Sequence, residues 1–321
     1  AKYGYFETAL TALWTHQDIT FRNLGWPADD VFGTARAEFG SGRNTKSWKP
    51  PANAEQGFGY ETLLGHVNDA KPTTLFVAYG SETAFYKSPE EFEAFKRGYI
   101  TLLKDLGKVA KTLILVSPPL LEDAGRPLPD PGENNKRIQQ TATFIKGVAK
   151  KGGHRLINLT DHLIPAGAKK NLTFNGQQFT QHGHEKLSQV MLKQMGLAAD
   201  GGYKAEFAAD GTLRASQSAK VEKLLKTKNG FRFDLTPETL PLPGAGVLLI
   251  KDSTASYALK IDGQTAFSWD NGKNPKGVIV VDGRAPSPYE RLRQLLIQTN
   301  RFHSTRFRPP NHPHPPFLRR H

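Results

Sequence analysis

Three short segments constrain this chain more than anything else in it: the nearly continuous apolar runs "TTLFVAYG" (73–80) and "TLILVSPP" (112–119), and a further strand candidate, "HRLINLT" (154–160). Apolar runs of this length suit strands buried on both faces, as in a parallel sheet covered by helices. Helix-forming stretches separate them. "SPEEFEAFKRGYITLLKDLG" follows the first, with Ser88 as N-cap and Pro89 and Glu90 in the first turn. Residues 133–151 predict the next helix, and Thr180 to Met195 the last of this half; residues 56–69 supply one more before the first run. Further upstream, "YGYFETALTALW" (3–14) sets Tyr5, Phe6, Leu10, Leu13 and Trp14 along one helical side. Ile19 to Arg22 then reads as a short strand entering a turn at Gly25. Alternation of this kind predicts an α/β fold with a doubly wound parallel sheet, over residues 1–198.

Beyond residue 203 the texture changes. "FRFDLT", "GVLLIKD", "YALKIDG" and "KGVIVVDG" are short strand-like pieces broken by Gly, Pro and Asp-Gly turns. They predict a β-rich module over 203–300, closed by the helix "SPYERLRQLLIQTNRF" with Leu292, Leu295 and Leu296 on its inner side. Residues 301–321 hold five Arg, four His, five Pro and no acid, which predicts an extended arm rather than a regular element.

Composition narrows the function classes. The 321 residues hold 43 basic and 30 acidic side chains, a net charge of +13 that favours anionic partners without choosing among them. The arm offers Arg301, Arg306, Arg308, Arg319 and Arg320 to such a ligand, with Phe302, Phe307 and Phe317 nearby; no nucleic-acid module accompanies them. There is no cysteine, so disulfides and thiolate metal sites are excluded. The four arm histidines lack ligand spacing, and no metal or other cofactor is expected. No apolar run approaches the ~18–20 residues that span a bilayer. The first residue is Ala1 and no secretion-type leader precedes the first helix, so an upstream piece is expected to be missing.

In open α/β sheets the functional crevice lies outside the carboxyl ends of the strands. That rule selects Gly25, Gly80-Ser81-Glu82, Ser117-Pro118-Pro119 and the loop before the last helix. The same positions carry a resemblance. "FRNLGWPADDVFG" (21–33) resembles the second conserved block of SGNH/GDSL-type hydrolases, in particular a planctomycete and verrucomicrobial branch. "VAYGSETAF" (77–85) is similar to the third block, and "LVSPPLLED" (115–123) to a Ser-Pro-Pro turn of that branch. "LTFNGQQFTQHGH" (172–184) falls at the fifth block, with Gly183 fixing the register. "YALKIDG" and "NRFHSTRFRPPN" resemble that branch's β module and closing arm.

The resemblance implies a flavodoxin-like sheet, ester hydrolysis by a Ser-His-Asp triad, and three donors to the oxyanion. Carried over position by position, it finds gaps. Gly25 can give its N–H. The asparagine of the third block maps to Glu82, expected to be a carboxylate that cannot donate. The histidine maps to Gln178, which shuttles no proton near neutral pH, and the aspartate to Asn175. The nucleophile block is absent from the sequence. Loss of a triad serine or histidine removes about 10⁶ in turnover, and a missing oxyanion donor a further 10² to 10³ or so. His182 and His184 are substitute bases by position only, and Ser81 and Ser117 are hydroxyls at strand ends. Asp161-His162 is a sequence neighbour pair whose side chains diverge.

The resemblance also implies a first strand between 19–22 and 73–79. Without it those two would face each other across ~9–10 Å, and each unpaired buried group would cost about 1–3 kcal/mol. Three outcomes follow: upstream residues fill the gap, another chain does, or the two strands pair directly. The leading expectation is a degenerate SGNH-hydrolase-like protein serving as a binding or structural subunit of a larger assembly. The alternatives are an esterase acting on acylated carbohydrate or small esters with His182 or His184 as base, and an anion-binding protein acting through the arm. A periplasmic or secreted location is implied by the resemblance alone.

Overall fold

The computed structural model describes residues 3–36, 58–164, 171–197, 204–237, 246–251, 256–261, 264–269, 278–281 and 288–307. Two compact units divide the chain, one of residues 22–194 with 299–321, the other of residues 1–21 with 195–298.

In the first unit the three segments become β1 (Thr74–Val77), β2 (Thr112–Val116) and β3 (Arg155–Ile157). They form a parallel sheet in the order β1-β2-β3, with Val77 level with Leu115 and Val116 level with Ile157. Before β1 lies α2 (Phe58–Ala70), and α3 (Pro89–Val109) and α4 (Gly132–Gly152) make the crossovers. The start of α3 is set by a capping box: Glu91 N–H donates to Ser88 Oγ, and Ser88 N–H returns a bond to Glu91 Oε2. Its apolar face delivers Phe95, Tyr99, Leu102 and Leu106 into a core shared with Val31, Phe32, Leu115 and Ile145. Rings of Phe92, Phe95, Tyr99 and Phe144 meet there at centroid distances of 5.6–6.5 Å. After β3 come the short α5 (Leu159–His162) and α6 (Gln181–Gln194).

The expected strand at Ile19–Arg22 is not formed; these residues have no ladder. An extended segment becomes a strand only when a neighbour accepts its hydrogen bonds, and β1 pairs with β2 alone among the described residues. Direct pairing of 19–22 with 73–79, one of the three outcomes, is therefore not the one observed.

In the second unit, α1 (Tyr5–Leu13) buries Thr8, Ala9, Leu10 and Ala12, whereas the expected aromatic side, Tyr5, Phe6 and Trp14, is only half-buried. The β module contains a four-stranded sheet, β11 (Val278–Val281), β8 (Gly246–Lys251), β4 (Lys204–Ala208) and β5 (Leu213–Gln217), in that order. Two hairpins, β6 (Ala219–Thr227) with β7 (Gly230–Pro237) and β9 (Tyr257–Ile261) with β10 (Gln264–Trp269), complete it. Its small core centres on Phe207, whose ring lies 5.0 Å from Phe231 and 4.7 Å from Phe233.

The closing helix α7 (Pro288–Phe307) runs on through residues assigned to the arm. Leu292 and Leu296 are half-buried as expected, but Leu295 is 60% exposed, a correction to its inner placement. Arg293 fastens the start of α1 to α7. Its guanidinium lies over the Tyr5 ring at 4.7 Å and donates to the Tyr3 carbonyl at 2.8 Å, while Tyr289 Oη donates to the Tyr5 carbonyl. Arg301 and Arg306 lie on α7; Arg308, Arg319, Arg320 and Phe317 fall outside the described residues. Among the described residues no helix is long and apolar enough to cross a membrane.

Candidate functional site

The loops beyond the carboxyl ends of β1, β2 and β3 carry the positions chosen from the sequence. After β1 the chain passes Gly80 into a 3₁₀ turn, Ser81–Phe85. Thr83 Oγ1 bonds the Gly80 carbonyl and the Thr141 hydroxyl, and Asn134 and Arg137 of α4 both donate to the Ala84 carbonyl. Glu82 is thus held rigidly. Its Oε2 accepts the Gly80 N–H at 3.0 Å, whereas Oε1 is buried with no hydrogen-bond partner. Although the residue as a whole is only partly buried, that oxygen is fully enclosed. Burial, reinforced by the charges of Asp30 and Asp29, pushes the Glu82 carboxyl up to about 7. The expectation of a fully ionised Glu82 therefore needs correction: near neutral pH a large fraction is a carboxylic acid able to donate a hydrogen bond.

Behind Glu82 stands a polar cluster that the sequence did not single out. Arg36 donates to Asp29 Oδ2 at 2.7 Å and to the Leu24 carbonyl at 2.7 Å, and its Nη1 lies 3.3 Å from His66 Nδ1. The Arg36 and Asp29 side chains are each 2% exposed, and Asp29 Oδ1 has no partner. Burial raises the Asp29 carboxyl against the opposing pull of Arg36, and burial likewise raises the Tyr79 hydroxyl. Asp30 Oδ1 accepts from Phe32 N–H and Thr34 N–H, closing the turn that leads to Arg36. The "PADD" tetrapeptide was the available signal for that turn; the Arg36 contacts had none.

Gly25 lies in an exposed coil, and its N–H, the expected oxyanion donor, is engaged by Asn23 Oδ1 at 3.0 Å. After β2, Ser117 is buried and bonds Asn158 and Thr160, so its hydroxyl ties two strand ends together. Asp161 accepts from Asn158 Nδ2 at 2.6 Å, and His162 is exposed beside it.

The fifth-block loop is a closed turn anchored by a buried acid. Glu122 accepts from Leu172 N–H at 3.0 Å, Thr173 N–H at 2.7 Å and Thr173 Oγ1 at 2.6 Å, and its own N–H donates to the Gly176 carbonyl. A Cβ on Gly176, which has φ +82, would stand 2.8 Å from the Glu122 carbonyl. Within the turn Asn175 Oδ1 accepts from Gln177 N–H at 3.2 Å and Gln178 N–H at 2.8 Å, and the Gln178 carbonyl accepts from Phe174 N–H. Asn175 and Gln178 are exposed. Gly183 has a physical reason for its place: a Cβ there would come 2.0 Å from the Leu172 carbonyl. His182 is exposed with Nδ1 3.7 Å from Glu185 Oε2, and the His184 ring stands edge-on to Phe179 at 5.7 Å.

The structure thus joins Ser81 to Glu82 in one turn and Asn175 to Gln178 in another. No hydrogen bond or ion pair among the described residues links Gly25, Glu82 and the 175–178 turn. No group of three or more potential metal ligands is found among the described residues.

No protein-family model and no curated protein matches this chain. Among solved structures, a gut microbial diltiazem-metabolizing enzyme is similar over 94% of this chain and 73% of its own, with a TM-score of 0.67 and 13% identity. A catalytic mutant of an acetylxylan esterase from Geobacillus stearothermophilus covers 40% of this chain and 61% of its own, with a TM-score of 0.31 and 15% identity. A lipase/acylhydrolase from Enterococcus faecalis covers 43% and 68%, with a TM-score of 0.35 and 20% identity. The likeness is one of fold: a mixed α/β architecture with a parallel three-stranded sheet and further antiparallel strands, as the sequence predicted.

Proposed function

We propose that this chain is an SGNH-hydrolase-like protein that does not hydrolyse esters and serves as a binding or structural subunit. The observation that carries this reading is the closed turn at 175–178. The amide oxygen that replaces the family's aspartate caps two backbone N–H groups, and the side chain in place of its histidine is an exposed glutamine. Neither atom set can orient or carry a catalytic proton. Short acyl esters test the reading: the purified chain is expected to give no turnover above buffer. Turnover abolished by a serine-directed phosphonate would overturn it.

One observation favours a second reading. His182 Nδ1 and Glu185 Oε2 approach to 3.7 Å, and such a pair could orient an imidazole base in an esterase whose nucleophile lies upstream. Under that reading a His182→Ala/His184→Ala double variant loses its ester turnover. Turnover that persists in the double variant removes it.

A further inference from the structure

In the α/β unit every strand begins, and α2, α3, α4 and α6 end, at the end of the sheet opposite the loops described above. Thr112 N–H donates to the Thr73 carbonyl across the starts of β1 and β2, and Arg155 Nη2 donates to the Gln194 carbonyl where α6 stops beside β3. Residues 68–73, 104–112, 146–156 and 190–195 make up this end. They contain nine Lys or Arg against two acids. Lys71, Lys111, Lys150, Lys151, Lys193 and Arg155 are all exposed. One of the two acids, Asp105, is already held by Lys108 at 2.7 Å and Tyr60 at 2.8 Å. Among the described residues no acid pairs with Lys71, Lys111, Lys150, Lys151 or Lys193.

A lysine or two at a helix C-terminus is ordinary, because it answers the helix dipole. Here four helices deliver theirs to one end, so the charges add into a field that draws polyanions. Helix C-termini also present last-turn carbonyls, which need donors. Cations interleaved with acceptors suit a polymer bearing both anionic groups and hydroxyls. A site for single-stranded nucleic acid would offer aromatic rings, and one that reads bases in a duplex would offer open arginine forks. These segments contain no Phe, Tyr or Trp, and Arg155, the one arginine, already has a nitrogen on the Gln194 carbonyl.

We propose that this end of the sheet binds an acidic polysaccharide, its carboxylates or sulfates facing the lysines and its hydroxyls donating to helix-terminal carbonyls. The probe is polygalacturonate, titrated onto the full chain in low salt, where exposed charges are little screened. The variant Lys111→Glu/Lys150→Glu/Lys151→Glu is expected to bind at least about tenfold more weakly. A control with equal charge change at the opposite end of the same sheet, Lys87→Glu/Arg126→Glu/Lys136→Glu, is expected to change affinity by about twofold or less. If the reversal variant melts early, the same three positions as Gln are read instead. Equal losses in test and control, or no saturable binding, would overturn the proposal. So would tighter binding to duplex DNA or to phosphatidylserine vesicles of matched charge.

Discussion

Glu82 and Glu122 are both enclosed acids in loops just past the ends of neighbouring strands, yet their surroundings are opposite. Glu122 meets three donors and closes the 172–176 turn; Glu82 meets the Gly80 N–H and leaves Oε1 unpartnered beside two further carboxyls. The contrast separates a carboxylate whose oxygens are answered by donors from one that burial pushes up to about 7. The first fastens a loop. The second is held by its turn through one oxygen while the other stays unanswered.

Removing Glu122 gives the largest expected effect. Glu122→Ala leaves the Leu172 and Thr173 N–H groups and a hydroxyl without their acceptor, and costs about 3–5 kcal/mol in urea unfolding. Hydrogen exchange at residues 172 and 173 should speed up with it; unchanged protection there would break the comparison.

Glu82 comes next, and its signature is pH dependence. Its folded value, about 7, lies above the ordinary 4.5, so the folded state holds the proton longer than the unfolded one. Stability from this group is present below about 4.5, falls as pH rises toward 7 and is flat above it. The total is about 3 kcal/mol at most. Asp29, raised in the same direction, adds to the same slope. Glu82→Gln should therefore gain on the parent as pH rises through that window. A difference independent of pH would show that Glu82 titrates normally.

The smallest effect belongs to Asn175→Ala, about 1 kcal/mol for two lost turn bonds, measured by thermal unfolding. A loss as large as that of Glu122→Ala would mean that the turn, not the buried acid, holds the loop.

How much of this could be read in advance followed sequence separation. The N-cap at Ser88 is local to its helix and the apolar runs of β1 and β2 are self-contained, so both were legible, whereas the return bond from Ser88 to Glu91 was not singled out. The strand at 19–22 failed because a ladder depends on a neighbour remote in sequence. Glu122 reaches across 50 and 51 residues to Leu172 and Thr173, and Arg36 across 30 to His66, distances over which no local pattern speaks. At the site, residue types at Glu82, Asn175 and Gln178 were readable, but their partners were not. The ionisation of Glu82 was misjudged because it depends on enclosure, which a residue type does not record. Gly183 was found by its place in a motif, and only the Leu172 carbonyl explains it.

The clasp between Arg293 and the Tyr3 carbonyl bears on how the chain is made. Synthesis releases the first helix some 280 residues before its anchor, and the whole α/β body emerges in between. That body can settle while the ribosome is still working. The first helix stays without its anchor until α7 has been made, so its seating follows the α/β body however quickly that body folds.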